Sequence, residues 1–306
     1  MKYIVTGGAG FIGSHLIENL LNKGHQIICI DDLSTGHLSN LPSNNNIKHI
    51  TKAVQNIGLN ELPNKIDGIF HLAAQASVPQ SIDDFYKSSK NNLLSMLKVW
   101  DIANKFNIPI VYATSSAVYG NLSVGDDTID NYDILSPYAQ DKLSMEDYAN
   151  MSWKVYKTKS IGLRFFNVYG PRQDPSNPYS GVISIFVDRL NNNQPVTVNG
   201  GYQTRDFIYV LDVVKCLAKS MSILRKNALC ETLNIGTGKS VTIDNLLSYL
   251  CSIMDVKPKI IKLKLPFGDP EKSSGIYNKL KDILKININE FKTLKEVLKD
   301  TIKLIK

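Results

Sequence analysis

Residues 7–13 read Gly-Gly-Ala-Gly-Phe-Ile-Gly, and their setting constrains the fold more than any other feature of the chain. They follow the short β-branched and apolar run Tyr3–Thr6. They lead into Phe11–Lys23, where Ile12, Leu16, Leu20 and Leu21 recur at helical spacing. Gln26–Ile30 then reads as a second strand, so strand, glycine turn, helix and strand fit one βαβ unit of about thirty residues. The turn satisfies G-x-G-x-x-G through Gly8, Gly10 and Gly13, and G-x-x-G-x-x-G through Gly7, Gly10 and Gly13. Glycines there let a pyrophosphate approach the backbone at a helix N-terminus, and the last one lets helix and strand pack closely. Phe11 and Ile12 open that helix and belong to the same expected site.

Asp31 ends the second strand, followed by Asp32. A carboxylate at that place accepts hydrogen bonds from both adenosine ribose hydroxyls and repels a 2′-phosphate. The expected cofactor is therefore NAD rather than NADP.

The alternation continues: Gly68–Leu72 reads as a strand, Asn91–Phe106 as a helix, Ile108–Ala113 as a strand, Tyr138–Lys154 as a helix and Ser160–Phe166 as a strand. This predicts an α/β fold, a Rossmann-type doubly wound parallel sheet. After Asn167 prolines and asparagines cluster and periodicity weakens, so residues 168–306 are expected to form mainly a smaller substrate-binding lobe. Residues 1–167 form the expected NAD-binding domain, with a segment near 206–237 packing back on it.

Composition narrows the function classes. Hydrophobic residues make up 43% and charged residues 21%, as in ordinary globular proteins. Cys29, Cys216, Cys230 and Cys251 are far apart and form no C-x-x-C pair, which points to reduced thiols and no metal site. No apolar run reaches the ~18 residues of a membrane span. The glycines interrupt the N-terminal apolar stretch too early for a signal peptide, and the expected compartment is cytoplasmic. The net charge of +7 is concentrated in a lysine-rich C-terminal segment where Phe291, Leu294, Leu298 and Ile305 recur at helical spacing. This reads as a terminal helix with a solvated lysine face, without the arginine–aromatic clusters of a nucleic-acid partner.

Tyr138 and Lys142 are four residues apart on a helical stretch and so share a face. A lysine ammonium and a positive nicotinamide both favour the phenolate, so the tyrosine is expected to titrate closer to the working range and act as a base. Ser115 and Ser116 end the preceding strand, where a hydroxyl can hold a substrate alcohol while the tyrosine takes its proton. His71 ends a buried strand and reads as a packed residue beside the cofactor.

With these residues in view the chain resembles an extended short-chain dehydrogenase/reductase of the nucleotide-sugar epimerase/dehydratase family, most like UDP-hexose and UDP-N-acetylhexosamine 4-epimerases. The motifs are TGGAGFIG (6–13), DDLSTG (31–36), HLAAQASVPQS (71–81), SSAVYG (115–120), SPYAQDK (136–142), RFFNVYGPRQDP (164–175) and TRDFIYVLDVV (204–214), which span most of the chain. The resemblance implies a catalytic set of Ser115, Tyr138 and Lys142, with Ser116 in support. It implies that Ala73 and Asn92 join the glycine turn, Asp31 and Asp32 around NAD. It places Asn167 and Arg205 on the nucleotide diphosphate, and Val182, Thr197, Asn199 and Ser273 elsewhere on the substrate side. It also implies a homodimer joined through the helices near 91–106 and 138–154, and a role in polysaccharide assembly.

The family performs several reactions from a shared 4-keto sugar. Similar 4,6-dehydratases carry Asp-Glu just after the catalytic hydroxyl residue; here those places hold Ser116 and Ala117, so water elimination lacks its proton carriers. The expected activity is 4-epimerisation of UDP-N-acetylglucosamine and UDP-N-acetylgalactosamine, since Ser273 stands where a bulky tyrosine excludes acetylated sugars in some relatives. UDP-glucose/UDP-galactose or UDP-glucuronate epimerisation and dehydration stay open as alternatives, as does an NAD-sensing binding protein. Two positions depart from the family pattern. Pro266 replaces an arginine that gives a second diphosphate contact, with Lys264 and Lys272 nearby, and Ala53 replaces an aspartate that meets the adenine amine.

Overall fold

The glycine turn joins β1 (Lys2–Thr6) to α1 (Phe11–Asn22), and every residue of β1 after Lys2 is buried. The computed structural model describes all residues except Pro178, Tyr179, Phe267, Ile305 and Lys306. Ile305, the last apolar residue of the expected C-terminal helix, therefore lies outside the described residues.

After α1 come β2 (Gln26–Ile30), β3 (Ile47–Ile50), β4 (Gly68–His71), α2 (Val78–Asp83), α3 (Phe85–Phe106) and β5 (Ile110–Ser115). Then follow β6 (Gly125–Asp126), α4 (Pro137–Tyr156), β7 (Ser160–Phe165), β8 (Asn167–Tyr169), α5 (Val182–Asn191), β9 (Val196–Asn199) and β10 (Thr204–Tyr209). The remainder comprises α6 (Val210–Leu224), β11 (Cys230–Ile235), β12 (Ser240–Thr242), α7 (Ile243–Met254), β13 (Ile260–Leu263), β14 (Gly275–Ile276), α8 (Asn278–Leu284) and α9 (Leu294–Leu304).

Seven strands make one sheet in the order β11-β7-β5-β4-β1-β2-β3. The pairs β1–β2, β1–β4, β2–β3 and β4–β5 are parallel. The strand order reverses at β1, the switch point at which a doubly wound sheet opens a crevice for a ligand. Rossmann-type architecture is thus confirmed.

The chain divides into two units. The first comprises Met1–Ser115, Ser136–Arg164 and Val213–Leu233; the second comprises Ser116–Leu135, Phe165–Asp212 and Asn234–Lys306. Ser116–Leu135 thus belongs to the second unit although it precedes the boundary expected at 167/168. Each unit has its own apolar core. In the first, Ile4, Ile69 and Ile110 of the sheet meet Met96, Val99 and Trp100 of α3. In the second, Phe186 and Leu190 of α5 pack with Leu246 and Leu250 of α7 and with Leu294 and Leu298 of α9.

The helix expected from Asn91 starts six residues earlier, at Phe85, with Asp84 as N-cap accepting a hydrogen bond from the Lys87 amide at 3.1 Å. The reason is an inverted pattern. Ser88 and Ser89 face inward while Phe85 and Tyr86 are exposed, so hydrophobic periodicity does not mark this turn.

Candidate active site

In the first unit the glycine turn is packed as tightly as its sequence requires. Gly7 has φ of 65°, and a Cβ there would lie 2.7 Å from the Ala73 nitrogen, in the loop after β4. A Cβ on Gly13 would lie 2.1 Å from the Gly7 carbonyl oxygen, and one on Gly8 would meet Cys29 Sγ and Ile17 at 2.6 Å. Gly10 is the N-cap of α1 and offers no side chain to cap it; the first turn, with Phe11 and Ile12, holds no acidic residue. That end of the helix dipole suits an anion.

Asp31 sits at the C-terminal end of β2, buried, with its two oxygens accepting the Ala9 and Leu33 amides at 2.9 Å each. A Cβ on Gly36 would lie 2.9 Å from one of those oxygens, so the 31–36 loop needs its glycine to close over the carboxylate. Burial raises the Asp31 carboxyl above its ordinary value, opposed by the two amides. Asp32 is turned to its own loop, accepting the Ser34 amide and hydroxyl. A bare glycine cradle, an uncapped helix end and a fixed carboxylate fit a dinucleotide. Ala53 forms the N-cap of a short 3-10 turn after β3.

Asn92 is fully buried on α3. Its oxygen accepts the Gln75 amide at 2.8 Å, and its nitrogen donates to the Gln75 carbonyl at 3.2 Å and to Asp141 Oδ2 at 3.0 Å. These bonds hold the 73–77 loop that lines the glycine turn, so Asn92 acts on that loop through Gln75. His71 is buried, with Nδ1 2.8 Å from the Thr6 hydroxyl, and desolvation lowers its pKa to about 3. It is neutral and packed.

Ser136 caps α4, accepting the Ala139 amide at 3.2 Å, and Pro137 fills the first helical position. In this first turn, the Tyr138 and Ser115 side chains are hydrogen-bonded. Lys142 Nζ lies 5.7 Å from the centre of the Tyr138 ring and donates to the Ala113 carbonyl at 2.8 Å. Burial lowers the Lys142 amine to about 8, with Asp141 and Glu146 opposing. Burial also raises the Tyr138 hydroxyl, with the Ser115 bond opposing and Asp141 adding to it. Burial thus opposes the depression of Tyr138 expected from Lys142. Desolvation outweighs any help from the ammonium, whose own pKa burial lowers.

In the second unit Arg205, on β10, donates from one terminal nitrogen to the Thr204 carbonyl at 2.7 Å and from the other to Asp269. Asn167, on β8, is partly buried and donates to the Asp206 carbonyl at 3.3 Å. Ser116 opens a 3-10 turn. Val182 begins α5, Thr197 and Asn199 face outward on β9, and Ser273 is partly buried with its carbonyl accepting from Ser240. Pro266, Lys264 and Lys272 are exposed.

An organising group of this unit has no local signature in the sequence. The Asp206 carboxylate, fully buried next to Arg205, receives the Thr237 amide and hydroxyl, the Gly238 amide and the Tyr277 hydroxyl. Its partners are thirty to seventy residues away along the chain, so no local pattern announces it.

Comparison with known proteins agrees with this geometry. Residues 3–236 match the model of the "NAD dependent epimerase/dehydratase family". A putative UDP-glucose 4-epimerase of Methanocaldococcus jannaschii is 37% identical over 257 residues, covering 81% of this chain and 80% of its own. Among solved structures, a UDP-N-acetylglucosamine 4-epimerase from Methanobrevibacter ruminantium in complex with UDP-N-acetylmuramic acid superposes with TM-score 0.91 at 32% identity, covering 99% of this chain and 97% of its own. A Bacillus cereus UDP-glucuronic acid 4-epimerase, with a fluorinated sugar nucleotide and NAD, gives TM-score 0.91 at 28% identity over 100% of this chain and 99% of its own. The glycine cradle, the Tyr138–Lys142 pair and this match across most of the chain make it a member of the NAD dependent epimerase/dehydratase family, an enzyme that uses NAD.

Proposed function

We propose that the protein is a UDP-sugar 4-epimerase that interconverts UDP-N-acetylglucosamine and UDP-N-acetylgalactosamine. The observation that carries the reaction type is the hydrogen-bonded Ser115–Tyr138 pair beside Lys142, with Ser116 and Ala117 following where a dehydratase keeps its acid and base. NAD, which the glycine turn and Asp31 would hold, would supply the hydride acceptor and donor for C4 of the sugar. Ser115 holds the 4-hydroxyl, and Tyr138 takes its proton and returns it to the keto oxygen after the sugar presents its other face. Lys142, buried and close to the ring, orients the tyrosine and shares the proton balance.

On the substrate side, Arg205 spends two donors on Thr204 and Asp269 and keeps others of its five for the diphosphate, with Asn167 nearby on the paired strand β8. Val182, Thr197, Asn199 and Ser273 complete the assignment. A serine at 273 and the N-acetylglucosamine epimerase among the similar structures favour an N-acetylated sugar. The UDP-glucose 4-epimerases among its relatives favour UDP-glucose/UDP-galactose as the second reading.

A second copy of this chain is the proposed partner. Leu94 and Leu97 on α3, and Tyr148, Met151 and Val155 on α4, form exposed apolar rows at helical spacing. The proposed compartment is the cytoplasm; among the described residues no helix is long and apolar enough to cross a membrane.

The test is incubation with a panel of UDP-, GDP- and dTDP-sugars and analysis of the products. UDP-N-acetylglucosamine should yield UDP-N-acetylgalactosamine, and Tyr138→Phe should lower turnover by about 10²–10⁴-fold. A 6-deoxy-4-keto product contradicts the reading, and unchanged behaviour of Tyr138→Phe makes the protein an NAD-binding module.

A further inference from the structure

Three consecutive residues of β5 are each tied to a different turn of α4. The Ala113 carbonyl accepts from Lys142 Nζ at 2.8 Å. The Thr114 hydroxyl donates to Glu146 Oε1 at 2.7 Å. Ser115 is bonded to Tyr138. The first and third ties involve the groups proposed to do chemistry. The middle one meets that chemistry only through a long bond from the Thr114 hydroxyl to the Lys142 carbonyl at 3.5 Å, yet it is the most heavily built. Glu146 also accepts Arg164 Nε at 3.0 Å and a terminal Arg164 nitrogen at 2.5 Å, and Arg164 comes from β7, the next strand of the sheet. Thr114, Glu146 and Arg164 are 2%, 4% and 3% exposed.

A buried, two-point guanidinium–carboxylate pair holds its carboxylate in one place, because both bonds must be kept to offset desolvation. Glu146 lies one turn beyond Lys142 and two turns beyond Tyr138 on the same helix face. Fixing Glu146 against Thr114 therefore fixes how far along β5 the helix sits. That register decides whether the Tyr138 and Ser115 side chains meet.

We propose that the Thr114–Glu146–Arg164 network is a positioning device that sets the register of α4 on β5, and so holds the Ser115–Tyr138 pair at reacting distance. Thr114 is its adjustable contact. Removing its hydroxyl leaves the buried ion pair whole and the volume nearly unchanged, but frees the strand from the helix at the step beside Ser115. The proposal deepens the epimerase reading and rests on it for its kinetic arm.

The experiment compares Thr114→Val and Thr114→Ser with the unaltered enzyme, measuring kcat, KM for the UDP-sugar, NAD content and Tm. Thr114→Val should lose about tenfold to a hundredfold in kcat, with KM and NAD content unchanged and Tm lowered by no more than a few degrees. Thr114→Ser, which restores the donor, should recover most of the loss. A valine variant with unaltered kcat overturns the proposal, as does a lowered kcat that serine does not restore. Thr114→Ala replaces the valine variant if valine disturbs folding. If the unaltered protein turns over no UDP-hexose, the epimerase reading fails by itself. The register is then read from a crystal structure of Thr114→Val, in which a lost Ser115–Tyr138 bond supports the proposal and a retained one overturns it.

Discussion

At the scale of single residues the site runs on buried ionisable groups. Among the described residues no carboxylate is in contact with Lys142, which is held by a carbonyl, so burial dominates and its pKa falls to about 8. The consequence for stability follows from proton counts. Between about pH 8 and the ordinary lysine value near 10.5, the unfolded chain keeps the proton and the folded chain does not, so stability contributed through this group rises with pH. Below about pH 8 both states are protonated, and the full cost of the buried ammonium is present. Lys142→Met removes that cost, so the variant should melt above the unaltered protein at pH 7, and the gap should narrow as pH rises from 8 to 10. Thermal melts of both proteins across that range check it; a gap that widens with pH contradicts it. Tyr138 shifts in the opposite direction for the same reason, desolvation, which disfavours whichever form is charged.

At the scale of elements, the turn into α1 shows what was legible in the sequence. The glycine pattern, the strand before it and the helix after it are all local, and the fold places them as read. Gly13→Ala would press a methyl group to 2.1 Å from the Gly7 carbonyl, so α1 must move away from the turn. NAD affinity, measured by titration calorimetry, should fall at least tenfold, roughly the effect of losing one charge-assisted contact; unchanged affinity contradicts the cradle. The Tyr138–Lys142 spacing was legible for the same local reason. The start of α3 was not, because Ser88 and Ser89 point inward and Phe85 outward. Nor were the Glu146–Arg164 pair, the Asn92–Asp141 bond or the Asp206 hub, which join residues distant in sequence through hydrogen bonds that carry no periodic signal. The burial of Tyr138 was not legible either, because neighbouring charge can be read from spacing whereas burial cannot.

At the scale of the whole molecule, each unit carries its own core and its own share of the assigned residues. If the proposed dimer forms through the exposed rows on α3 and α4, Leu97→Glu should convert it to a monomer under multi-angle light scattering, since a buried unpaired charge costs several kcal/mol. A monomeric unaltered protein at micromolar concentration contradicts that assignment. The central claim is that one hydrogen leaves C4 of the sugar and returns to the same carbon. It is tested most directly by converting UDP-N-acetylglucosamine carrying deuterium at C4 in ordinary water and examining the product by mass spectrometry and NMR. The expected product is UDP-N-acetylgalactosamine that keeps its deuterium at C4. Loss of the label to solvent, or its appearance at C6 of a 4-keto product, would contradict it.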